Sequence, residues 1–581
     1  MSRKLRKVGK WLLLIVVSLC VMGFLLLCFE RVRGAVSLSS YKQKLARRGE
    51  AVSAQDLARS VPQGSNGVAE VLHACRELVE GEVMPEHYPP GMTMTRSGRA
   101  IAGFRQHQWT EDKLVYDWNR LDRDLETNRA VLKRIRTALG QPVLDHQLDY
   151  SQGPKMPLPH LVRPKELARW FGAQSSLALH EHRLQEAVDP LIAEICLPRF
   201  LERDGILISE LVRIAIASLA RADTWAALQA NGWTDEQLAG IQKAWEAQRF
   251  LTNFTRGLEG ERIYCTSAFE LCRASQAETA SMLFWMDDMN FMDLADRPAW
   301  EKAVRALPAG DALAEFLKED LYCRVWRFAW LDQCERRYLE AVQGLIEISR
   351  RMEATADLVT AEKSIQALLE RIENRTVYDS LRFGFGVTSV ATLSRGISKA
   401  ARAETERSLV LAAIALKRYG LSNTNPPASL QHLVPAFLSS VPIDYMNGNP
   451  IQYRVKPDES VALYSVGEDG KDDGGDAGLL DASKQWTMWH RRDVVWPTLA
   501  LPEELEPDEL PDAEVIVQAS ANAATVRSNP PLRVLILSGQ NNHNWRETTP
   551  RLRMILESEG RFTVEISEQP EHLTNVALEP Y

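Results

Sequence analysis

The pattern opens with an unbroken apolar run, Trp11-Leu-Leu-Leu-Ile-Val-Val-Ser-Leu-Cys-Val-Met-Gly-Phe-Leu-Leu-Leu-Cys-Phe29, free of charged residues. At about 1.5 Å of rise per residue, a helix of this length crosses most of a hydrocarbon core about 30 Å thick. From about Ser37 to Ala400 apolar residues recur at three- and four-residue spacing, which predicts one helix after another. Pro164-Lys-Glu-Leu-Ala-Arg-Trp-Phe starts one with proline in its first turn, and residues 207 to 230 form another that Gly232 can stop. Thr234-Asp-Glu-Gln237 then carries the capping-box arrangement of a helix start. Residues 259 to 290, 311 to 354 and 358 to 375 predict further long helices, broken by Pro298, Pro308 and short polar turns.

The pattern changes near Ala403. After a helix ending at Lys417-Arg-Tyr-Gly420, Ile451-Gln-Tyr-Arg-Val455 and Val461-Ala-Leu-Tyr-Ser465 alternate as two antiparallel strands and lead into the acidic, glycine-rich loop Val466-Gly-Glu-Asp-Gly-Lys-Asp-Asp-Gly-Gly-Asp476. Residues 497 to 531 are Pro/Ala-rich and carry an acidic run without a base, the composition of a linker. Leu532-Arg-Val-Leu-Ile-Leu-Ser538, a proline-started helix from Thr548, and Phe562-Thr-Val-Glu-Ile566 then predict strand, helix and strand, the opening of a parallel α/β sheet.

Charge gives the first span its direction. Arg3, Lys4, Arg6, Lys7 and Lys10 precede it with no acid among them, whereas Arg31, Arg33, Lys42, Lys44, Arg47 and Arg48 are spread out beyond it. The denser tail favours a cytoplasmic N-terminus and an exported body. Glu30, Arg31 and Arg33 make a poor signal-peptidase site, and Leu19 and Leu27 before Cys20 and Cys28 do not suit lipoprotein processing. The expectation is a retained signal anchor, single-pass in the cell inner membrane of a bacterium, with a periplasmic body.

With 581 residues, 45% of them hydrophobic, the chain can bury large cores, and a net charge of -8 without a basic face argues against nucleic acid as a partner. Tryptophan recurs through the helical region from Trp109 to Trp330, a pattern that reads as core packing. His180-Glu181-His182 lacks the four-residue histidine spacing of a zincin helix and reads as a solvated surface patch. No nucleophile elbow, phosphate loop or dinucleotide fingerprint occurs, so an enzyme is the less favoured class, with no catalytic residue and no small-molecule substrate identified.

Of eight cysteines, Cys20 and Cys28 fall in the span, and no pair has the spacing of a structural zinc site. Cys265 and Cys272 return to one helix face, as do Cys323 and Cys334, so packing of the two helices allows either an interhelical disulfide in an oxidising compartment or buried free thiols. Asp469, Asp472, Asp473, Asp476 and Asp481 are candidate metal ligands, since calcium takes several hard oxygens. The loop is not an EF-hand, because Lys471 and Leu480 occupy ligand positions. Its alternative reading is a solvated turn, with glycine supplying positive φ.

Residues 405 to 482 resemble the C-terminal half of the major pseudopilins of type II secretion systems. The match runs through Leu430, Leu433, Val434, Pro435, Val441, Pro442, Asp444, Gly448, Tyr453, Tyr464, Ser465, Gly467, Asp469 and Gly470. It implies a small α+β module whose acidic loop holds calcium. No Gly-Phe-Thr-x-x-x-Glu motif precedes the span, and a long helical insert separates the two. Leu535-Ile-Leu-Ser-Gly-Gln-Asn-Asn-His-Asn-Trp-Arg-Glu-Thr-Thr-Pro550 is similar to the start of trehalose-utilisation (ThuA-like) domains, which places His543 after Gly539 as a candidate remnant site. That resemblance spans residues 532 to 573 and implies a truncated domain.

The expected protein is mainly α. It has a cytoplasmic tail (1–10), a transmembrane anchor (11–29), a helical exported domain (30–402), a pseudopilin-like α+β module (403–496), a linker (497–531) and a partial βαβ fragment (532–581). The expected function is a membrane-anchored envelope protein of structural or interaction type, calcium-stabilised, whose partners are the membrane and other envelope proteins. Its alternatives are an anchored enzyme of sugar-related metabolism with a truncated ThuA-like domain, and an accessory component of a secretion system.

Overall fold

In the computed structural model of the chain, the apolar run and the segment after it form one helix, α1 (Arg3–Arg47). The structure describes residues 3–57, 65–111, 114–288, 316–373, 376–456, 460–479, 488–500, 532–537, 549, 553 and 562–567. The apolar residues from Trp11 to Leu26 are exposed all round, and α1 is long and apolar enough to cross a membrane. From Leu27 onward one face turns inward. Glu30, Gly34, Leu38 and Leu45, at helical spacing, are buried against the body.

The body is mainly helical. It runs through α2 (Ala54–Leu57), α3 (Val68–Cys75), α4 (Trp118–Leu139), α5 (Arg163–His180), α6 (Leu184–Cys196), α7 (Leu207–Leu228), α8 (Asp235–Glu246), α9 (Phe250–Ala274) and α10 (Gln276–Asp288). A π-helical stretch with segments Phe316–Tyr322 and Trp326–Trp330 then leads into α11 (Leu331–Thr355), α12 (Leu358–Ile372) and α13 (Val377–Gly420). The cap of α8 has the expected reciprocal form, with Thr234 and Gln237 each satisfying the other's backbone N–H. Gly232, at φ 96°, lies beyond the end of α7, where only glycine takes that conformation without strain. The expected helix from 259 to 290 is divided, because Ser275 between α9 and α10 is extended (φ −137°, ψ 136°).

Helix α13 forms the spine. α7, α8, α9, α11 and α12 all pack on it, and Ile397, Ala400, Ala401, Val410 and Ile414 are buried along its length. Gly396 allows the closest approach, since a Cβ there would stand 2.3 Å from the Phe254 ring of α9. The tryptophans at 109, 118, 170, 225, 233, 245, 326 and 330 are buried, as expected of core packing; Trp300 lies outside the described residues.

Two features depart from an all-helical 30–402 region. β1 (Met92–Arg96) pairs antiparallel with β2 (Arg99–Ala102), and β3 (Trp109–Glu111) with β4 (Leu114–Tyr116). The boundary expected at 402/403 falls inside α13, which is continuous through it. Beyond that helix, β5 (Gln452–Val455) and β6 (Val461–Ser465) pair antiparallel as expected, and β7 (Val494–Val495) adds to β6. β8 (Thr498–Leu499) lies parallel to β2, and the Trp225 indole N–H donates to the Pro497 carbonyl at 2.8 Å. The C-terminal module is thereby tied into the helical body, and Met1–Ala500 forms one compact unit.

The second unit is Leu501–Tyr581. Its described core is β9 (Leu532–Leu537) paired in parallel with β10 (Phe562–Ser567), with Thr549 and Arg553 helical between them. The two strands fall where the pattern of apolar residues places them.

Candidate functional site

The acidic loop is built around two aspartates outside the candidate ligand set. Asp444, fully buried below β6, accepts from the Ser465 hydroxyl at 2.9 Å and from the Met446 and Val466 amides at 3.0 and 2.9 Å. Asp493 is also fully buried and accepts from the Gly475 amide at 2.7 Å and the Asp476 amide at 3.1 Å. Burial pushes both carboxyls above their ordinary value, opposed in each case by hydrogen bonds. Gly467, Gly470, Gly474 and Gly475 all have φ between 70° and 85°, so the chain can fold back over Asp493.

The candidate ligands hold different partners. Asp472 accepts from Arg454 at 2.9 Å, from the Tyr464 hydroxyl at 2.9 Å and from the Gly474 amide at 2.9 Å. Asp476 takes the Gly478 amide and an ion pair with Arg492 at 3.3 Å, and Asp469 takes the Lys471 amide. Asp473 donates its amide to Asp493, and Asp481 lies outside the described residues. The donor set is all hard oxygen on a glycine-turned loop, which suits calcium's chemistry. Loading would require an ion to replace Arg454 at Asp472 and Arg492 at Asp476. Among the described residues these carboxylates do not converge.

A different cluster does converge. His146 Nδ1 and His160 Nε2 lie 2.8 and 2.9 Å from the two oxygens of Asp204, and the Ser209 hydroxyl donates to the same carboxylate at 2.6 Å. The imidazoles stack with centroids 3.9 Å apart, and Tyr150 donates to the Asp204 carbonyl at 2.6 Å. Burial alone would raise the Asp204 carboxyl, but the two histidines outweigh it and hold it below its usual value. Two imidazoles and a carboxylate are ligands of transition-metal type. Here His146 Nδ1 and His160 Nε2 are taken up by Asp204 while His146 Nε2 is buried without a partner, and the cluster pins the loops of residues 146–160 onto the start of α7.

Glu194 of α6 and Asp223 of α7 form a second interior group, a pair of fully buried carboxylates facing each other. A Cβ on Gly172 would come within 2.3 Å of Asp223 Oδ2, so that glycine leaves the dyad its space. Burial pushes both carboxyls above their ordinary values, most strongly Glu194, which also faces the Asp223 carboxylate.

The other sequence candidates are dispersed. Cys265, Cys272, Cys323 and Cys334 are free thiols, although α9 and α11 do pack together. The Tyr338 hydroxyl donates to Cys265 Sγ at 2.9 Å, and burial pushes the Cys334 thiol up to about 12, so neither is a reactive thiolate. His180 is half-buried rather than solvated. It stacks on Trp118 at 4.2 Å and its Nδ1–H donates to the Phe104 carbonyl at 2.8 Å, because the turn after β2 and the start of α4 close over that end of α5. His543 lies outside the described residues. No signal in the sequence joined Asp444 to Asp493, or the histidines to Asp204: each group is assembled from separate loops. No family model, curated protein or solved structure matches the chain.

Proposed function

We propose that this chain is a membrane-anchored envelope protein of structural or interaction type, single-pass in the inner membrane, with a cytoplasmic tail and a periplasmic body. The observation that carries this reading is the continuity of α1. Its apolar first part is exposed from Trp11 to Leu26, with Phe24 stacked on Phe328, and without a helical break its second part becomes a packed element of the body. A cleavable leader has no use for such docking, whereas an anchor that positions a body at a fixed height does. We further propose that the acidic loop takes calcium, supported by its oxygen-only donors, its positive-φ glycines and its likeness to pseudopilin loops.

The parallel pairing of β9 with β10 favours the α/β reading of the C-terminal unit, and with it the alternative of an anchored sugar-related enzyme with a ThuA-like segment. Sequencing the genomic DNA downstream distinguishes the two. Further ThuA-like strands encoded there support a fusion enzyme, and their absence supports the structural reading. The anchor itself is tested by membrane fractionation of the full-length chain.

A further inference from the structure

A cavity of about 690 Å³ opens between the outer half of α1 and the helices α11, α12 and α13, in the size range of small-molecule sites. Seven lysine or arginine side chains line it, against two carboxylates, Glu340 and Glu347. Both carboxylates are engaged, Glu340 with Arg336 at 2.8 Å and Glu347 with Arg48 at 3.4 Å. Lys44 and Arg371 have no ion-pair partner among the described residues, and the Arg382 Nε–H is buried without an acceptor. Arg33 and Arg382 pair with Glu30 at 2.6 Å and Asp379 at 3.9 Å outside the lining, which leaves Lys44 and Arg371 as uncompensated positive charge that an anion relieves.

Its position narrows the anion. Arg33, Ser37, Tyr41, Lys44 and Arg48 of α1 line it, and their spacing puts them on one helix face. Arg33 is four residues past Phe29, about 6 Å of helix, which is the depth of a headgroup layer. A separate observation sets the body at the same level. Phe24, inside the apolar run, stacks on Phe328 of the π-helical stretch at 6.4 Å, and Arg31 lies over the same ring. In the same stretch Phe316 and Leu321 are 54% and 47% exposed, and Tyr378 and Leu381 on α13 are exposed too. The Tyr322 hydroxyl joins these two elements by donating to the Leu381 carbonyl at 2.7 Å. Exposed aromatic and apolar side chains beside a basic mouth match an interfacial layer, apolar below and anionic above.

We propose that this cavity binds a phosphate-bearing anion, drawn from the headgroup of an anionic phospholipid or from a soluble phosphate ester. The location rests on the anchor reading; the charge balance does not. Arginine forks bind phosphate oxygens in pairs, and the unpaired Lys44 and Arg371 provide the long-range attraction.

The test is native mass spectrometry of the full-length chain in detergent, titrated with phosphatidylglycerol, phosphatidylcholine or inorganic phosphate, beside the double variant Lys44→Gln/Arg371→Gln. Neither side chain is buried or ion-paired, so the variant keeps its fold, which melting verifies. Preferential retention of phosphatidylglycerol, weakened at least about tenfold in the variant, identifies the headgroup as source. Saturable, variant-sensitive binding of inorganic phosphate without lipid preference identifies a soluble ester. No binding of either, or binding the variant leaves unchanged, overturns the proposal. A chain that sediments with membranes yet binds neither refutes the cavity and leaves the anchor. A soluble chain that still binds phosphate does the reverse.

Discussion

Gln333 of α11 donates from one nitrogen to both the backbone carbonyl and the carboxylate of Glu30 on α1, at 2.8 and 2.7 Å. The Glu30 carboxylate also pairs with Arg33 at 2.6 Å. A polar side chain of the body thus holds the helix at the point where its apolar run ends. Gln333→Leu leaves the buried Glu30 carboxylate without that donor, a loss of about 1–3 kcal/mol. Thermal melting of the full-length chain checks it, with limited proteolysis after Arg47 or Arg48 as a second readout. Unchanged melting and protection would show that this contact does not secure the helix.

Four residues further on, Gly34 lets α1 approach α11. A Cβ there would stand 2.9 Å from Gln333 Cγ and 3.4 Å from Asp332 Cβ. Gly34→Leu is expected to push the helices apart and cost about 1–3 kcal/mol, whereas Gly23→Leu, with nothing within 4 Å, is expected to leave melting unchanged. Equal effects at the two positions would contradict the docking of α1.

The Glu194–Asp223 dyad predicts a pH dependence. Burial raises both carboxyls above their ordinary values of 4.5 and 3.8, so the folded chain binds more protons than the unfolded chain just above those values. The stabilisation from those extra protons is complete at lower pH and is lost as pH rises through the raised pKa values of the two carboxyls. Glu194→Gln removes one titrating group without changing its shape. Melting followed from pH 5 to 8 is expected to fall less steeply in the variant than in the parent, and parallel slopes would contradict the dyad's role.

Calcium at the acidic loop predicts that millimolar calcium raises the melting temperature and that a chelator reverses the gain by mass action. Asp472→Asn is expected to lessen the calcium response. No shift in the parent chain would leave the loop to Asp493, Arg454 and Arg492 alone.

How much of this was legible in the sequence varies with the range of the interactions involved. The α8 cap, the end of α7 and the β5–β6 pair follow from local pattern, because each is decided within a few residues. β1 to β4 were hidden. They are three to five residues long, too short for a period, and β2 is completed by β8 nearly four hundred residues away. His180 reads as solvated because the ring that covers it belongs to Trp118, on another helix. Glu194 and Asp223 look like ordinary helix charges until α6 and α7 pack together. The basic cavity was half visible: the spacing of Arg33, Lys44 and Arg48 stands in the sequence, but their facing partners Arg336, Arg371 and Arg382 are set opposite them by the fold.

The central claim is that one helix both spans a bilayer and forms part of the folded body. Alkaline carbonate extraction of membranes from cells making the full-length chain tests it most directly. The account predicts that the intact, uncleaved chain stays in the membrane pellet. Recovery in the soluble fraction, either as the intact chain or as a product beginning near Gly34, would contradict it.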